Sequence, residues 1–136
     1  MSSRRSRDEL LKRFSSRYGE EGTAAGRLVE RRVIGANVGA NGYTTLAQAD
    51  RLVEALDLSP ESRLLDLGSG RGWPGLHLAA RTGCHAVLTD VPEAAVRTAQ
   101  QRSADASDRV SVARASATHL PFAARSFDAI CHADTL

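Results

Sequence analysis

With 136 residues, 42% of them hydrophobic and 25% charged, the chain suits one soluble globular domain and leaves no room for a second of full size. No apolar run approaches the ~20 residues that cross a bilayer, and the arginine-rich start lacks the apolar stretch of a secretory signal, so the expectation is a cytoplasmic protein with no membrane partner. Cys84 and Cys131 are too isolated for a disulfide framework or a C-x-x-C metal knuckle, so reduced thiols and no metal site are expected. The net charge of +2 is uneven: residues 1–32 carry nine Lys/Arg against five Asp/Glu, and the remainder nine against eleven. Acids at Asp8, Glu9, Glu20, Glu21 and Glu30 interrupt the basic start and no aromatic stacking pattern accompanies it, which favours a solvated helical face over nucleic-acid binding.

Leu11, Phe14 and Tyr18 fall at i, i+3 and i+7, which predicts an amphipathic helix from about Arg7 to Tyr18. Gly19 and Gly22 break it, and a second helical stretch follows through Leu28, Val29 and Val33. Residues 35–42, with three glycines and two asparagines, read as a loop. Thr45 with Gln48 three positions on is a capping-box pattern, so a helix begins at Leu46 and runs to Ser59-Pro60. From residue 62 the rhythm becomes one of βαβ units. Strands are predicted near 63–67, 85–89, 110–114 and 127–132, with helices near 74–82 and 92–104.

The densest stretch is Leu64-Leu65-Asp66-Leu67-Gly68-Ser69-Gly70-Arg71-Gly72-Trp73-Pro74-Gly75, a strand running through a glycine-rich turn into a helix. Glycines at 68, 70 and 72 let the backbone turn sharply and come close to a ligand, and N–H groups at a helix start can face a polar or anionic group. Gly70-x-Gly72-x-x-Gly75 also matches the dinucleotide fingerprint that cradles a pyrophosphate. Against that, Asp66 places a carboxylate at the carboxyl end of the strand, where it would repel a pyrophosphate and suit an ammonium group. Asp90 ends the second strand, near the ~20-residue offset after Gly70 at which an acid grips a ribose diol. It could also merely cap the helix that Pro92 starts.

On these residues the sequence resembles the class I S-adenosylmethionine-dependent methyltransferases, through 64–72, Asp90 and Leu-Pro-Phe-Ala-Ala-Arg-Ser-Phe-Asp-Ala-Ile at 120–130. The resemblance runs from about residue 36 to the end. It implies that Asp66, Gly68, Ser69 and Gly70 hold the methionine part and ribose of the cofactor, that Asp90 holds the ribose hydroxyls with Val91 beside it, and that Ser116 and Ala117 lie by the adenine. Where family members often have an aspartate, this chain has Ser116, so a hydroxyl must serve the adenine amino group. Residues 127–130 resemble the family's fourth strand, which would bring His132 near the methyl-bearing sulfur, either as a general base or as an ordinary polar residue. Tyr43-Thr44, in the glycine- and asparagine-rich loop, is similar to the segment that covers the cofactor, so Tyr43 is lid or packing.

The expected fold is α/β, a Rossmann-like doubly wound parallel sheet in strand order 3-2-1-4, with the carboxyl-terminal strands of the resembled fold missing. An N-terminal helical extension and cofactor-covering loop would span 1–45, and a partial core domain 46–136. The implied function is methyl transfer from S-adenosyl-L-methionine to an O, N or C nucleophile of a small molecule, with activity impaired by truncation. Two alternatives are an NAD-dependent oxidoreductase module and a non-catalytic fragment that self-associates through the open edge of the fourth strand.

Overall fold

The computed structural model describes residues 8–13, 16, 22–40 and 42–133. Residues 8–13 and Ser16 are helical, as the apolar spacing predicts, with Leu11 half-buried; Phe14, Tyr18 and Gly19 lie outside the described residues. Helix α1, Ala24–Val33, begins where the Thr23 hydroxyl accepts the Gly26 N–H at 3.0 Å. Leu28, Val29 and Val33 are exposed on it, and burial starts only at Ile34. Helix α2, Leu46–Leu56, carries the predicted capping box: Gln48 N–H donates to Thr45 Oγ1 at 3.2 Å and Thr45 N–H to Gln48 Oε1 at 2.8 Å. It stops at Asp57, whose left-handed φ of 48° closes the helix before the predicted Ser59-Pro60.

The rest alternates as predicted: β1 Arg63–Leu67, α3 Gly75–Thr82, β2 His85–Asp90, α4 Glu93–Arg102, β3 Val110–Arg114 and β4 Ala129–His132. All pairings are parallel and the order is β3-β2-β1-β4. Right-handed crossovers from β1 to β2 and from β2 to β3 put α3 and α4 on one face of the sheet. There Leu64, Ala86, Leu88, Val110 and Cys131 pack on Leu78 and Ala79 of α3 and Ala99 of α4, with Leu52, Val53 and Leu56 of α2 at the margin. Side chains alternate along a strand, so Leu65, Val87 and Ile130 share the opposite face. Leu65 on central β1 is buried, whereas Ile130 on the outer strand is 56% exposed.

The fourth strand begins two residues later than predicted, because Phe127 and Asp128 are used as an anchor. Asp128 Oδ2 accepts the Arg63 N–H at 2.7 Å and the Asp128 N–H donates to Arg63 O at 2.8 Å, pinning the starts of β1 and β4 together. Phe127 meets Phe122 edge to face beneath the Arg63 guanidinium. The carboxyl ends of β1, β2, β3 and β4 therefore emerge side by side. A switch-point crevice opens between β1 and β4, where successive connections diverge.

Candidate functional site

The glycine turn after β1 is held from three sides. Ser69 is buried, its N–H donating to Thr89 O at 2.9 Å, and its carbonyl takes the N–H groups of Gly72 and Trp73. Gly70 has a φ of 56°, a conformation that glycine adopts without a Cβ penalty, and this aims its N–H at Asp90 Oδ2, 2.8 Å away. Asp90 Oδ1 takes the Val91 N–H at 2.7 Å. The helix-cap alternative for Asp90 fails, since Pro92 is the N-cap of α4 and no side chain caps it. Each Asp90 oxygen holds one backbone donor and keeps a further lone pair for a ligand, which fits a vicinal diol. Burial pushes its pKa up, while the Val91 and Gly70 donors pull it down.

Asp66 stands differently from its sequence expectation. It shares the helix-facing side of β1 with Leu64 and has no exposed surface, so direct contact with a ligand ammonium group has no open carboxylate to make it. Its Oδ2 accepts the Gly75 N–H at 2.8 Å, and Oδ1 accepts no hydrogen bond among the described residues. A Cβ at position 75 would stand 2.6 Å from that Oδ2 and 2.4 Å from Leu88 Cδ2, so only glycine lets the helix start so close to the strand. Burial pushes the Asp66 pKa up to about 7; the Gly75 N–H and the Cys131 thiol pull it down, and the charge of Asp90 adds to the rise. Cys131, beside Asp66 across the β1–β4 pairing, is pushed up in turn, first by burial and then by Asp66.

This arrangement bears on the dinucleotide alternative. A pyrophosphate would need the N-terminal donors of α3. Gly75 N–H is spent on Asp66, Leu76 N–H on Gly72 O and Leu78 N–H on Pro74 O, and Pro74 has no N–H. Asp66 thus takes up the first donor of that helix from inside the protein.

The remaining predicted residues gather at the same rim. Ser116, half-buried after β3, shares hydrogen bonds with Thr118 at 2.9 and 3.3 Å; Ala117 beside it is exposed. Ala115 N–H bonds Asp90 O and Arg114 Nε bonds Val91 O, tying the third turn to the second. His132 is exposed, paired in register with Leu67, one residue before Gly68. Tyr43, 83% exposed, and Thr44 border a cavity of about 350 Å³ that His132 also lines.

Three residues to which sequence reading gives no role hold the loop before α2 in place. Leu46 N–H donates to Ile34 O at 2.7 Å, which ties the end of α1 to the start of α2. Between them, Glu30 Oε1 accepts the N–H groups of Val38 and Ala40, both at 2.9 Å, and Arg102 donates to Val38 O. Trp73, buried against Ile34 and Ala49, donates Nε1–H to Thr44 O at 2.9 Å. A lone tryptophan inside a glycine turn was the one local signal; Glu30 and Arg102 act across distances that no local pattern encodes.

Residues 64–136 match the family model described as a methyltransferase domain. Methyltransferase GfsG of Streptomyces halstedii is 40% identical over 83 residues, covering 60% of this chain and 30% of that protein. The 27-O-demethylrifamycin SV methyltransferase of Amycolatopsis mediterranei is 34% identical over 94 residues, covering 68% and 35%. The chain thus spans about a third of the length of these relatives. A geranyl diphosphate methyltransferase solved in complex with S-adenosylmethionine superposes with a TM-score of 0.63 at 22% identity, over 86% of this chain and 46% of that one, a likeness of fold. The methyltransferase-domain match takes in the strands, the glycine turn and both carboxylates, and the chain belongs to the class I S-adenosylmethionine-dependent methyltransferases.

Proposed function

We propose that these residues form the cofactor-binding part of an enzyme that transfers a methyl group from S-adenosylmethionine to a small-molecule acceptor. The observation that carries the reading is Asp90, fixed by the Gly70 and Val91 N–H groups with lone pairs left for a ribose diol. Gly68, Ser69 and Gly70 would run beneath the amino-acid part of the cofactor, Val91, Ser116 and Ala117 would border the adenine, and Tyr43 would cover it. Asp66 would act from below, shaping the turn. The small-molecule class is supported by the relative whose name specifies a demethylrifamycin.

When bound, the sulfonium cofactor supplies a methyl group that departs by in-line displacement. The protein's work is then to hold the acceptor atom at ~3–3.5 Å on the line of the leaving sulfur. A carboxylate beside the sulfur would favour the charged ground state and slow transfer. Neither acid stands free to do so, since Asp66 is sealed under the turn and Asp90 is engaged by two backbone donors. For a hydroxyl acceptor, His132 would take the proton.

Calorimetric titration with S-adenosylhomocysteine and NAD, on wild type and Asp90→Ala, tests the reading. S-adenosylhomocysteine should bind, NAD should not, and the substitution should weaken binding about tenfold or more; preference for NAD would overturn it. With a sheet of four strands and a third of its relatives' length, the 136-residue chain alone should turn over slowly, and turnover at the rate of a full-length relative would refute that. The outer edge of β4 would accept a further strand, so concentration-dependent dimerisation in sedimentation runs is the outcome expected of self-association. Among the described residues no helix is long and apolar enough to cross a membrane. Both cysteines are buried and unpaired, in keeping with a reducing compartment.

A further inference from the structure

The cavity of about 350 Å³ at the carboxyl end of β4 has a chemical character of its own. Tyr43, Thr44, Gln48, Arg51, Leu52 and His132 line it, and among the described residues no Asp or Glu does. Gln48, Arg51 and Leu52 stand at i, i+3 and i+4 on α2, so one helix face presents an amide, a guanidinium and an apolar floor together. The neighbouring Asp50 is already engaged at α3, with His77 at 2.8 Å and Arg81 at 3.3 Å. Glu54, one turn along α2, forms no ion pair with Arg51. Among the described residues Arg51 thus has no carboxylate partner. The concavity gathers a guanidinium, an amide, two hydroxyls and an imidazole beside the end of β1, where the glycine turn begins.

We infer that this cavity is a subsite for a carboxylate or phosphate group carried by the methyl acceptor, with Arg51 as its charge partner and Gln48 as a neutral donor. The inference rests on the methyltransferase reading, because it takes the reacting methyl group to lie near His132. A guanidinium offers a planar fork that matches either oxyanion with two parallel hydrogen bonds. The apolar wall of Leu52 suits a ligand whose anionic end is carried on a hydrocarbon body. The nucleoside side of the crevice, marked by Asp90 and Ser116, lies across β1 from this cavity in the strand order, which leaves the β4 side for the acceptor.

The cofactor's own amino-acid tail is the other possible source of a carboxylate, and the test separates the two. Nitrogen-15-labelled wild type and Arg51→Gln are titrated with succinate and with inorganic phosphate, with and without S-adenosylhomocysteine, while the Arg51 side-chain N–H and the residues around His132 are followed by NMR. Both chains are also titrated with S-adenosylhomocysteine and with its decarboxylated analogue. The expected result is saturable anion binding at Arg51 that weakens about tenfold or more in the variant, with S-adenosylhomocysteine affinity held within about twofold. Anion binding that is absent from wild type or equal in both chains overturns the subsite. A variant that loses affinity for S-adenosylhomocysteine but not for the decarboxylated analogue assigns Arg51 to the cofactor tail and overturns the acceptor role. If wild type fails to bind S-adenosylhomocysteine at all, the cofactor reading falls, and the anion titrations without it still decide the subsite.

Discussion

Two carboxylates flank one glycine turn, and they do opposite things. Asp66 lies inside the protein, on the face of β1 that meets α3, and its Oδ2 accepts the first N–H of that helix. Asp90 lies at the open rim, where two backbone donors fix its oxygens without exhausting them. The difference follows from strand geometry: Asp66 is an interior residue of β1 on the helix-covered side, whereas Asp90 is the last residue of β2, where the chain leaves the sheet. One acid builds the turn and the other is left to use it. The comparison predicts that substitutions at the first act on stability and its pH dependence, and at the second on ligand affinity.

The largest expected effect is at Asp66. The folded chain keeps its proton up to about pH 7, while an unfolded chain releases it near 3.8. Between those values the folded state binds more protons, so this group's contribution to stability is full below 3.8, falls as pH rises and is lost above 7. A shift of that size corresponds to roughly 4 kcal/mol as an upper figure. Asp66→Asn keeps an acceptor for Gly75 and cannot ionise, so its stability measured by urea unfolding should stay flat relative to wild type across that interval. The wild type should lose ground steadily from about pH 4 to 7. Parallel curves for the two chains would break the comparison at its buried end.

At Asp90 the effect moves to binding. Asp90→Asn retains one oxygen acceptor and loses the charge and the symmetric pair that a diol needs. Affinity for S-adenosylhomocysteine should fall about tenfold to a hundredfold, the range of one or two lost charge-assisted hydrogen bonds. Because the side chain is half-buried, water can replace it on the Gly70 and Val91 donors, and the stability cost should stay within about 1 kcal/mol. An Asp90 variant that melted early but bound normally would reverse the roles assigned here.

How much of this was legible beforehand follows the range of each interaction. The capping box of Thr45 and Gln48, the glycine turn and the sheet order all rest on neighbours in sequence or on the handedness of crossovers, and they appear as expected. The interior placement of Asp66 has a local signal: it alternates with Leu65 and Leu67 and therefore shares a side with buried Leu64. The shortened start of β4 could not be read, because Asp128 is recruited by the backbone of Arg63, 65 residues earlier. The glycines and asparagines of residues 35–42 mark them as a loop. What fixes it, the carboxylate of Glu30, the guanidinium of Arg102 and the indole of Trp73, comes from three separate helices and turns that meet only in the fold.

The smallest predicted effect concerns the link between the turn and that loop. Trp73 leaves the glycine turn with its ring buried between Ile34 and Ala49 and its Nε1–H on Thr44 O, so whatever moves the turn is transmitted to the Tyr43-Thr44 segment at the cavity mouth. Trp73→Phe keeps an aromatic filler and deletes the donor. One lost neutral hydrogen bond costs about 1 kcal/mol, which as local opening corresponds to roughly fivefold faster amide exchange around residues 43–46. Affinity for S-adenosylhomocysteine should fall by a few-fold at most, and the pH dependence of unfolding should stay that of wild type, since Asp66 is untouched. In the wild type Trp73 is the sole tryptophan, so its fluorescence reads the turn directly and should change on addition of S-adenosylhomocysteine. If Asp66→Asn altered that signal as strongly as Asp90→Asn does, the turn would be responding to its buried acid as much as to its exposed one. The division between the builder and the user of the turn would then have to be given up.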